Sequence, residues 1–324
     1  MAKAVRIHEP GGPEKLVYED VDVGDPGPEE IRIKQEFCGL NYIDVYHRTG
    51  LYPLPPLPTA IGLEAAGIVS AVGSDVSEFK VGDRVAYAAP PLGAYASERL
   101  IPRHRVVKLP DSISLEQAAG MMLQGMTVEY LIRRTYEVQP GDTVLFQAAA
   151  GGVGLIACQW LKQIGATVIG TAGSPEKAEL AKAHGCDHVI LYREEDVAAR
   201  VREITDGAGV PVVYDGVGAA TVEGSLDSLK PRGLFVTFGN ASGPIENFNL
   251  VTLSAKGSLF LTRPTLMTYT ASREDMVSSS TALFDAVAKG LKIEVNQRYA
   301  LADAAQAHRD LEARKTTGST IFVV

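Results

Sequence analysis

The rhythm of apolar and polar positions changes near residue 142. Before it, short runs such as EIRIKQE and GIVSAVG are separated by PGGPEK, GDPGPEE and LYPLPPLPTAIG, which reads as short strands joined by Pro and Gly turns. From Asp142 onward the apolar runs TVLFQ, TVIGT, HVILY, PVVYD and GLFVTFG alternate with helical stretches over 152–164, from Pro175, from Glu194 and near 221–229. Strands alternating with helices of this length predict βαβ units and a parallel sheet. Beyond KGSLFLTRP the pattern predicts a long helix over 273–289, a strand near 295–300, a helix over 303–314 and a closing strand, STIFVV. Val153, Ile156, Ala157, Trp160, Leu161 and Ile164 share one helical face, so the first of these helices packs on a sheet and Trp160 is assigned to the core. Ser174 before Pro175 places a capping hydroxyl ahead of a proline at the first helical position.

Composition narrows the classes. A chain of 324 residues has room for about two domains. With 46% hydrophobic and 22% charged residues it can build a large core, which excludes wholesale disorder. The net charge of −8 opposes a dominant phosphate-neutralising face, so no nucleic-acid partner is expected. Cys38, Cys158 and Cys186 are odd in number and far apart, which suggests a reducing compartment and no disulfide framework. The start lacks a signal-like apolar region and no apolar run is long enough to span a bilayer, so a cytoplasmic protein is expected. Glycine stands out, at 32 residues.

Many of those glycines mark one chemistry. Strand TVLFQ runs into Ala148-Ala149-Ala150-Gly151-Gly152-Val153-Gly154 and then a helix, the context in which backbone N–H groups approach a dinucleotide pyrophosphate. Read as GxGxxG, Ala149 replaces the first glycine while Gly151 and Gly154 match. A purely structural tight turn is the alternative; the surrounding βαβαβ run favours binding. The next strand ends in Ala172-Gly173-Ser174 with no acid to take a ribose 2′-hydroxyl, while Lys177, Tyr192 and Arg193 are near in sequence. A hydroxyl and an ammonium suit a 2′-phosphate, so NADPH is expected over NADH; otherwise Lys177 is only a solvated helix residue.

HEPGGPEKL, GLNYIDVYHRTGLYP, GLEAAGIVSAVG, VGDRVAY, LQGMTVEYL, AAAGGVGLIACQWLK, YDGVG, FGNASG and LTRPTL together resemble the medium-chain dehydrogenase/reductase superfamily, within it the zinc-free quinone oxidoreductases related to zeta-crystallin. The resemblance implies an α/β protein in which a Rossmann-type doubly wound parallel sheet domain, residues 125–263, is inserted in a GroES-like, mainly β catalytic domain, residues 1–124 and 264–324. It also implies a homodimer, with LFLTR as an edge strand. Further cofactor contacts are expected at Asn41, Thr127, Gly216, Val217, Gly218, Phe238, Gly239 and Asn240, joining Ala150, Gly151, Gly152, Val153, Gly173, Ser174, Lys177 and Tyr192. By the same resemblance Asn41, Tyr42, Tyr46 and Tyr52 come from one catalytic-domain loop and Arg263 from the opposite wall; Asn41, Tyr46, Tyr52 and Arg263 are the candidate catalytic residues. Any single tyrosine can equally be an anchored ring with a satisfied hydroxyl. Asp44 and Glu64 read as structural acids.

Departures from the zinc-dependent relatives set the reaction type. Leu63 stands where those enzymes carry an imidazole, Asn41 where they carry a cysteine, and Gln124 at a third ligand position, so no metal is expected. The cluster His184-Gly185-Cys186-Asp187-His188 spans a predicted helix end and a strand start, so its groups diverge. Without a Lewis acid to acidify an alcohol, reduction of an electrophile by NADPH is the easier chemistry, and a quinone asks least of the site because its reduced anion is stabilised. An alkenal or enone, which yields a more basic enolate, is the second choice. A crystallin-like or RNA-associated role with vestigial catalysis is the alternative of another class.

Overall fold

The computed structural model describes residues 1–324, and the chain divides into two units: residues 1–126, 269–289 and 293–324, and residues 127–268 with 290–292. The family resemblance set the changes at 124/125 and 263/264. The three residues 290–292 join the second unit because the Gln159 side chain, on helix Gly152–Ile164, bonds both the N–H and the C=O of Lys292, at 2.9 and 3.0 Å.

In the first unit a three-stranded antiparallel sheet (Leu16–Val21, Ala2–Ile7, Thr59–Ala60) accompanies a seven-stranded one. The hub of the larger sheet is the long strand Glu30–Leu40, which pairs antiparallel with Glu64–Val72, Glu98–Pro102 and Ser319–Val323. Its alternation turns Ile31 and Ile33 into a core shared with Val5, Ile7, Val69, Val85, Tyr95 and Phe322. Gly67 permits the pairing with Glu64–Val72, since a Cβ there would lie 2.2 Å from the Lys34 carbonyl oxygen.

The early segment is not built of strands and turns alone. Tyr42–Arg48, Leu115–Ala119 and Met122–Tyr130 are helices. The loop expected to carry Asn41, Tyr42 and Tyr46 is therefore a capped helix, with Asn41 as N-cap in an extended conformation and Asp44 Oδ2 accepting the Asn41 N–H at 2.9 Å. The helix expected from Glu194 begins three residues later, at Val197, where Asp196 caps it by accepting from Ala199 N. Pro and Gly neighbours obscured a helix of only seven residues whose capping acid was in plain sight.

The second unit is a six-stranded parallel sheet in the order His188–Leu191, Thr167–Ala172, Thr143–Phe146, Val210–Asp215, Leu229–Thr237, Phe260–Thr262. Numbered by sequence this is 3-2-1-4-5-6, the doubly wound order whose strand direction of growth reverses between Thr143–Phe146 and Val210–Asp215. Its central strands are buried on both faces, and Leu145, Ile169, Ile190, Val213 and Phe235 form one core with Val201 and Leu226 from the covering helices. Phe260–Thr262 is the sheet's edge, with Phe260 61% exposed.

Candidate active site

The residues that would hold a dinucleotide collect at the carboxyl ends of the second unit's strands. Thr143–Phe146 leads into Ala148, which takes the left-handed φ of 57°, and Gly151 caps helix Gly152–Ile164 with extended backbone. Gly151, Gly152 and Val153 thus stand at a helix N-terminus, the end that favours an anion. Gly154 lies so close to the turn that a Cβ would fall 2.5 Å from Ala148 O and 2.6 Å from Ala149 O. Ala149 is tolerated in place of glycine because Gly170, on the neighbouring strand, leaves room: a methyl there would sit 2.6 Å from the Ala149 Cβ. Ala150 is buried beside it.

At the end of Thr167–Ala172, Gly173 lies against the Tyr192 hydroxyl, which a Cβ would approach to 2.6 Å. Ser174 caps helix Pro175–Ala183 by accepting from Lys177 N, and Lys177 is half-buried in the first turn. One acid that the sequence reading passed over stands at this rim: Glu176 is bonded by the Ser174 hydroxyl, which holds its carboxyl below the usual range. Thr127 is buried on helix Met122–Tyr130.

A buried polar network missed from sequence shapes the remaining loops. Asp215, ending strand Val210–Asp215, accepts from Val217 N (2.7 Å), Gly218 N (3.0 Å), Thr221 Oγ1 (2.7 Å) and Ser225 Oγ (2.8 Å). Gln147 links Ser225 to Thr171, whose hydroxyl oxygen in turn accepts from Ala148 N in the glycine loop. Every buried group in this cluster is paired, so the turn 216–218 and the glycine loop are set by one rigid unit. The one local signal was the aspartate before GVG. Gly239 packs on Gly216, where a Cβ would meet the Gly216 oxygen at 2.3 Å, and the Phe238 ring lies beside Gly216. Arg263 donates to Thr237 Oγ1 and Gly239 O at 3.1 and 3.0 Å, which ties it to the loop carrying Phe238, Gly239 and Asn240.

The first unit gathers the other candidates. The rings of Tyr46 and Tyr52 lie 5.1 Å apart between centroids, with Tyr42 at 6.2 Å from Tyr46; the Tyr42 hydroxyl bonds the Leu311 carbonyl. Asn41 is 6% exposed. Its side-chain nitrogen lies 2.6 Å from Glu64 Oε2, and its side-chain oxygen 3.2 Å from the Gln124 amide, which reaches Ser319 Oγ at 2.8 Å. Leu63, Asn41 and Gln124, at the three positions where zinc-dependent relatives place ligands, thus offer one apolar side chain and two neutral amides engaged with each other. No three His, Cys, Asp or Glu side chains come together as a metal-ligand set. In the 184–188 segment the groups diverge: His184 bonds Leu180 O, the Cys186 thiol donates to His188 O, and Asp187 pairs with Lys162.

Asp44, Glu64 and His308 are among the buried titratable groups of the first unit. Burial pushes the Asp44 carboxyl up to about 7 and the Glu64 carboxyl up to about 8. Burial, followed by the Arg48 guanidinium, pushes the His308 ring down to about 3. Arg48 donates to His308 Nδ1 at 3.0 Å, so the ring proton is on Nε2, where the Tyr95 hydroxyl oxygen accepts it at 3.2 Å; Tyr95 donates onward to Asp44 Oδ2 at 2.9 Å. Asp44 Oδ1 has no partner.

The signs predict a pH profile. Asp44 and Glu64 keep protons in the folded chain that the unfolded chain gives up, so their contribution is whole below about pH 4 and is lost as pH rises through about 7 and 8. His308 works in the other direction: its contribution is whole above pH 6.5 and is lost as pH falls toward 3. Between pH 6.5 and 8 only the acids vary, and at 1.36 kcal/mol per unit Glu64 alone is expected to remove about 2 kcal/mol. Urea unfolding at stepped pH checks this: the midpoint falls across that window and Asp44→Asn makes the fall smaller, whereas a flat midpoint contradicts it.

Comparison with known proteins agrees with this architecture. Residues 27–111 match the alcohol dehydrogenase GroES-like domain family and residues 152–283 the zinc-binding dehydrogenase family. The chain is 54% identical to a quinone oxidoreductase of Pseudomonas aeruginosa over all of both sequences, and 46% identical to a 2-haloacrylate reductase of a Burkholderia species over 100% of this chain and 99% of that one. The crystal structure of Escherichia coli quinone oxidoreductase complexed with NADPH superposes with a TM-score of 0.98 at 50% identity, covering 99% of this chain and 100% of that one. A doubly wound sheet inserted in a GroES-like unit, and full-length identity above one half, place this chain in the quinone oxidoreductase branch of the medium-chain dehydrogenase/reductase superfamily.

Proposed function

We propose that the protein is an NADPH-dependent quinone reductase that needs no zinc. The observation that carries the cofactor is the glycine loop, a turn packed so closely on the helix that a Cβ at Gly154 would collide with its backbone, opening a helix N-terminus at the reversal point of a doubly wound sheet. Gly152 and Val153 hold the pyrophosphate with backbone N–H groups, and Gly151, whose own N–H goes to Ala148 O, lets the backbone come close to it; Gly173, Ser174, Lys177 and Tyr192 hold the 2′-phosphate, Lys177 offsetting the carboxylate of Glu176. Thr127, Ala150, Gly216, Val217, Gly218, Phe238, Gly239 and Asn240 complete the contacts. NADPH, when bound, supplies the hydride. The tilted pair Tyr46 and Tyr52 offers aromatic faces to a planar substrate, Asn41 donates a hydrogen bond to a substrate oxygen, and Arg263 fixes the loop at Gly239 and takes part in catalysis. A metal is unnecessary because hydride addition to a quinone yields a stabilised anion, and the donor set of Leu63, Asn41 and Gln124 does not suit zinc.

The same reading includes a homodimer formed along the edge strand Phe260–Thr262, where Phe260, Leu250 and Val251 are exposed apolar residues beside an unpaired edge. The three buried free cysteines fit a reducing, cytoplasmic setting, and no helix is long and apolar enough to cross a membrane. A second reading, reduction of activated alkenes, is favoured by the kinship with 2-haloacrylate reductase.

Steady-state NADPH oxidation across quinones, enones and 2-haloacrylates tests both. The expected result is the highest kcat/KM with quinones, and Lys177→Ala raising KM for NADPH about tenfold more than KM for NADH, a difference of about 1.4 kcal/mol. Faster turnover of the alkenes reverses the order of the two readings, and equal losses for the two nucleotides remove Lys177 from the 2′-phosphate site.

A further inference from the structure

The chain of contacts around Asn41 does not balance as a set of hydrogen bonds with its amides in the orientations given above. Ser319 Oγ lies 2.6 Å from the carbonyl oxygen of Gly120 and 2.8 Å from Gln124 Oε1. A hydroxyl carries one hydrogen, so one of those contacts is oxygen against oxygen with nothing between them. The nitrogen and oxygen of a carboxamide are interchangeable in shape. Rotating Gln124 lets its N–H₂ donate to Ser319 Oγ, which is then free to donate to Gly120. Gln124 now turns an oxygen toward Asn41, which must rotate too and donate to it. The Asn41 oxygen then faces Glu64 Oε2 at 2.6 Å, and that contact is a hydrogen bond only if the carboxyl holds a proton. The separation suits an O–H···O bond, whose usual length is about 2.7 Å, better than an N–H···O bond at about 2.9 Å. The other carboxyl oxygen, Oε1, accepts from Leu123 N at 2.9 Å in either arrangement.

We propose that Glu64 is a positioning residue that works as a neutral acid: its O–H donates to the Asn41 carbonyl and sets one direction of donation through Asn41, Gln124 and Ser319 to the Gly120 carbonyl. In this direction each of the four contacts is a hydrogen bond with one donor and one acceptor, and the second Asn41 N–H remains available on the side turned away from Glu64. Loss of the proton reverses the chain, because a carboxylate can only accept, and the Asn41 amide then turns over. The surroundings favour the protonated form. Glu64 is fully buried, and the titratable groups that bear on it are the acids Asp44, Cys38 and Tyr87. Gly39 lies against the carboxyl, where a Cβ would come within 2.3 Å of Oε2, so the glycine makes room for the carboxyl in this buried place.

The catalytic consequence rests on Asn41 acting at the substrate, as proposed above; the state of Glu64 does not. Two measurements therefore separate the proposals. Infrared difference spectra of the wild type against Glu64→Gln, at about pH 6 and without substrate, are expected to show a protonated carboxyl carbonyl band that the variant lacks; a carboxylate band in its place overturns the neutral acid. In turnover, Glu64→Ala is expected to lower kcat more than it raises KM, and Glu64→Gln, whose N–H₂ can donate to Asn41 as the acid does, restores kcat. The wild-type kcat falls above about pH 8, the value to which burial raises this carboxyl, and the Gln variant stays flat there. If Gln is no better than Ala, the direction of donation has no role. A wild type that oxidises no NADPH with any acceptor sinks the quinone reductase reading and leaves the infrared result standing.

Discussion

Gly154→Ala is expected to weaken NADPH binding by about a hundredfold, or about 2.7 kcal/mol. The added methyl has nowhere to go. Three of its nearest atoms, Ala148 O, Ala149 O and Ala149 C, are backbone at 2.5 to 2.7 Å, so no side-chain rotation relieves the contact. Relief must come from the turn 148–151 moving away from the helix, which displaces the N–H groups of Gly152 and Val153 proposed to meet the pyrophosphate. The loop is also fastened from behind by the bond from Ala148 N to Thr171 Oγ1, so the strain spreads into the Gln147, Ser225 and Asp215 cluster. A stability loss of about 1–3 kcal/mol should accompany it, as for other overpacked sites. Fluorescence titration with NADPH checks the binding loss. Gly224→Ala is the comparison, because the nearest atom to a Cβ there is 3.9 Å away and the site lies within helix Val222–Ser228. Unchanged affinity in Gly154→Ala would remove the close approach from the binding argument.

Removing the Glu312 carboxylate is the second large effect. Arg48 is 1% exposed at its side chain and is held by both oxygens of Glu312, at 2.8 and 2.9 Å, by Gly11 O and by His308. Glu312→Ala leaves a buried guanidinium with a carbonyl and a neutral imidazole for company, and breaking one side of such a pair costs about 3–5 kcal/mol. Glu312 is itself 35% exposed, so water can reach the vacated side and the lower end of that range is expected. The cost is in the desolvated charge rather than in the bond, so Arg48→Met combined with Glu312→Leu should recover most of it. Urea unfolding of the two single variants and the double variant checks this; additive losses would mean the two side chains are not a coupled unit.

How legible the molecule was depended on the range of the interactions. The parallel sheet was readable because each βαβ unit repeats a local pattern, and the cap at Ser174 followed by Pro175 lies within neighbouring residues. The helix Tyr42–Arg48 was missed although its cap, Asn41 with Asp44, is also local, because seven residues hold too few turns to show periodicity. The Asp215 cluster draws on Gln147, Thr171, Thr221 and Ser225 from separate segments, and the network around Asn41 joins Glu64, Gln124 and Ser319 across most of the chain. Nothing in a polar side chain announces a partner that distant. The family likeness supplied the candidates Asn41 and Tyr46, while Glu176 was passed over because acids were considered only at the strand tip and not in the first turn of the following helix.

Strand Ser319–Val323 pairs along Phe37–Leu40 on one side and Val295–Ala300 on the other, so the sheet of the first unit joins strands that lie on either side of the inserted unit in sequence. On the ribosome, the inserted unit has almost its whole sequence by Thr268 and can fold while synthesis continues. The hub strand Glu30–Leu40 emerges early yet waits with that stretch of its edge unpaired until residues 319–323 have emerged. A nascent chain stalled before residue 319 would therefore carry a finished nucleotide-binding unit beside an open β edge, a species prone to association and to capture by chaperones.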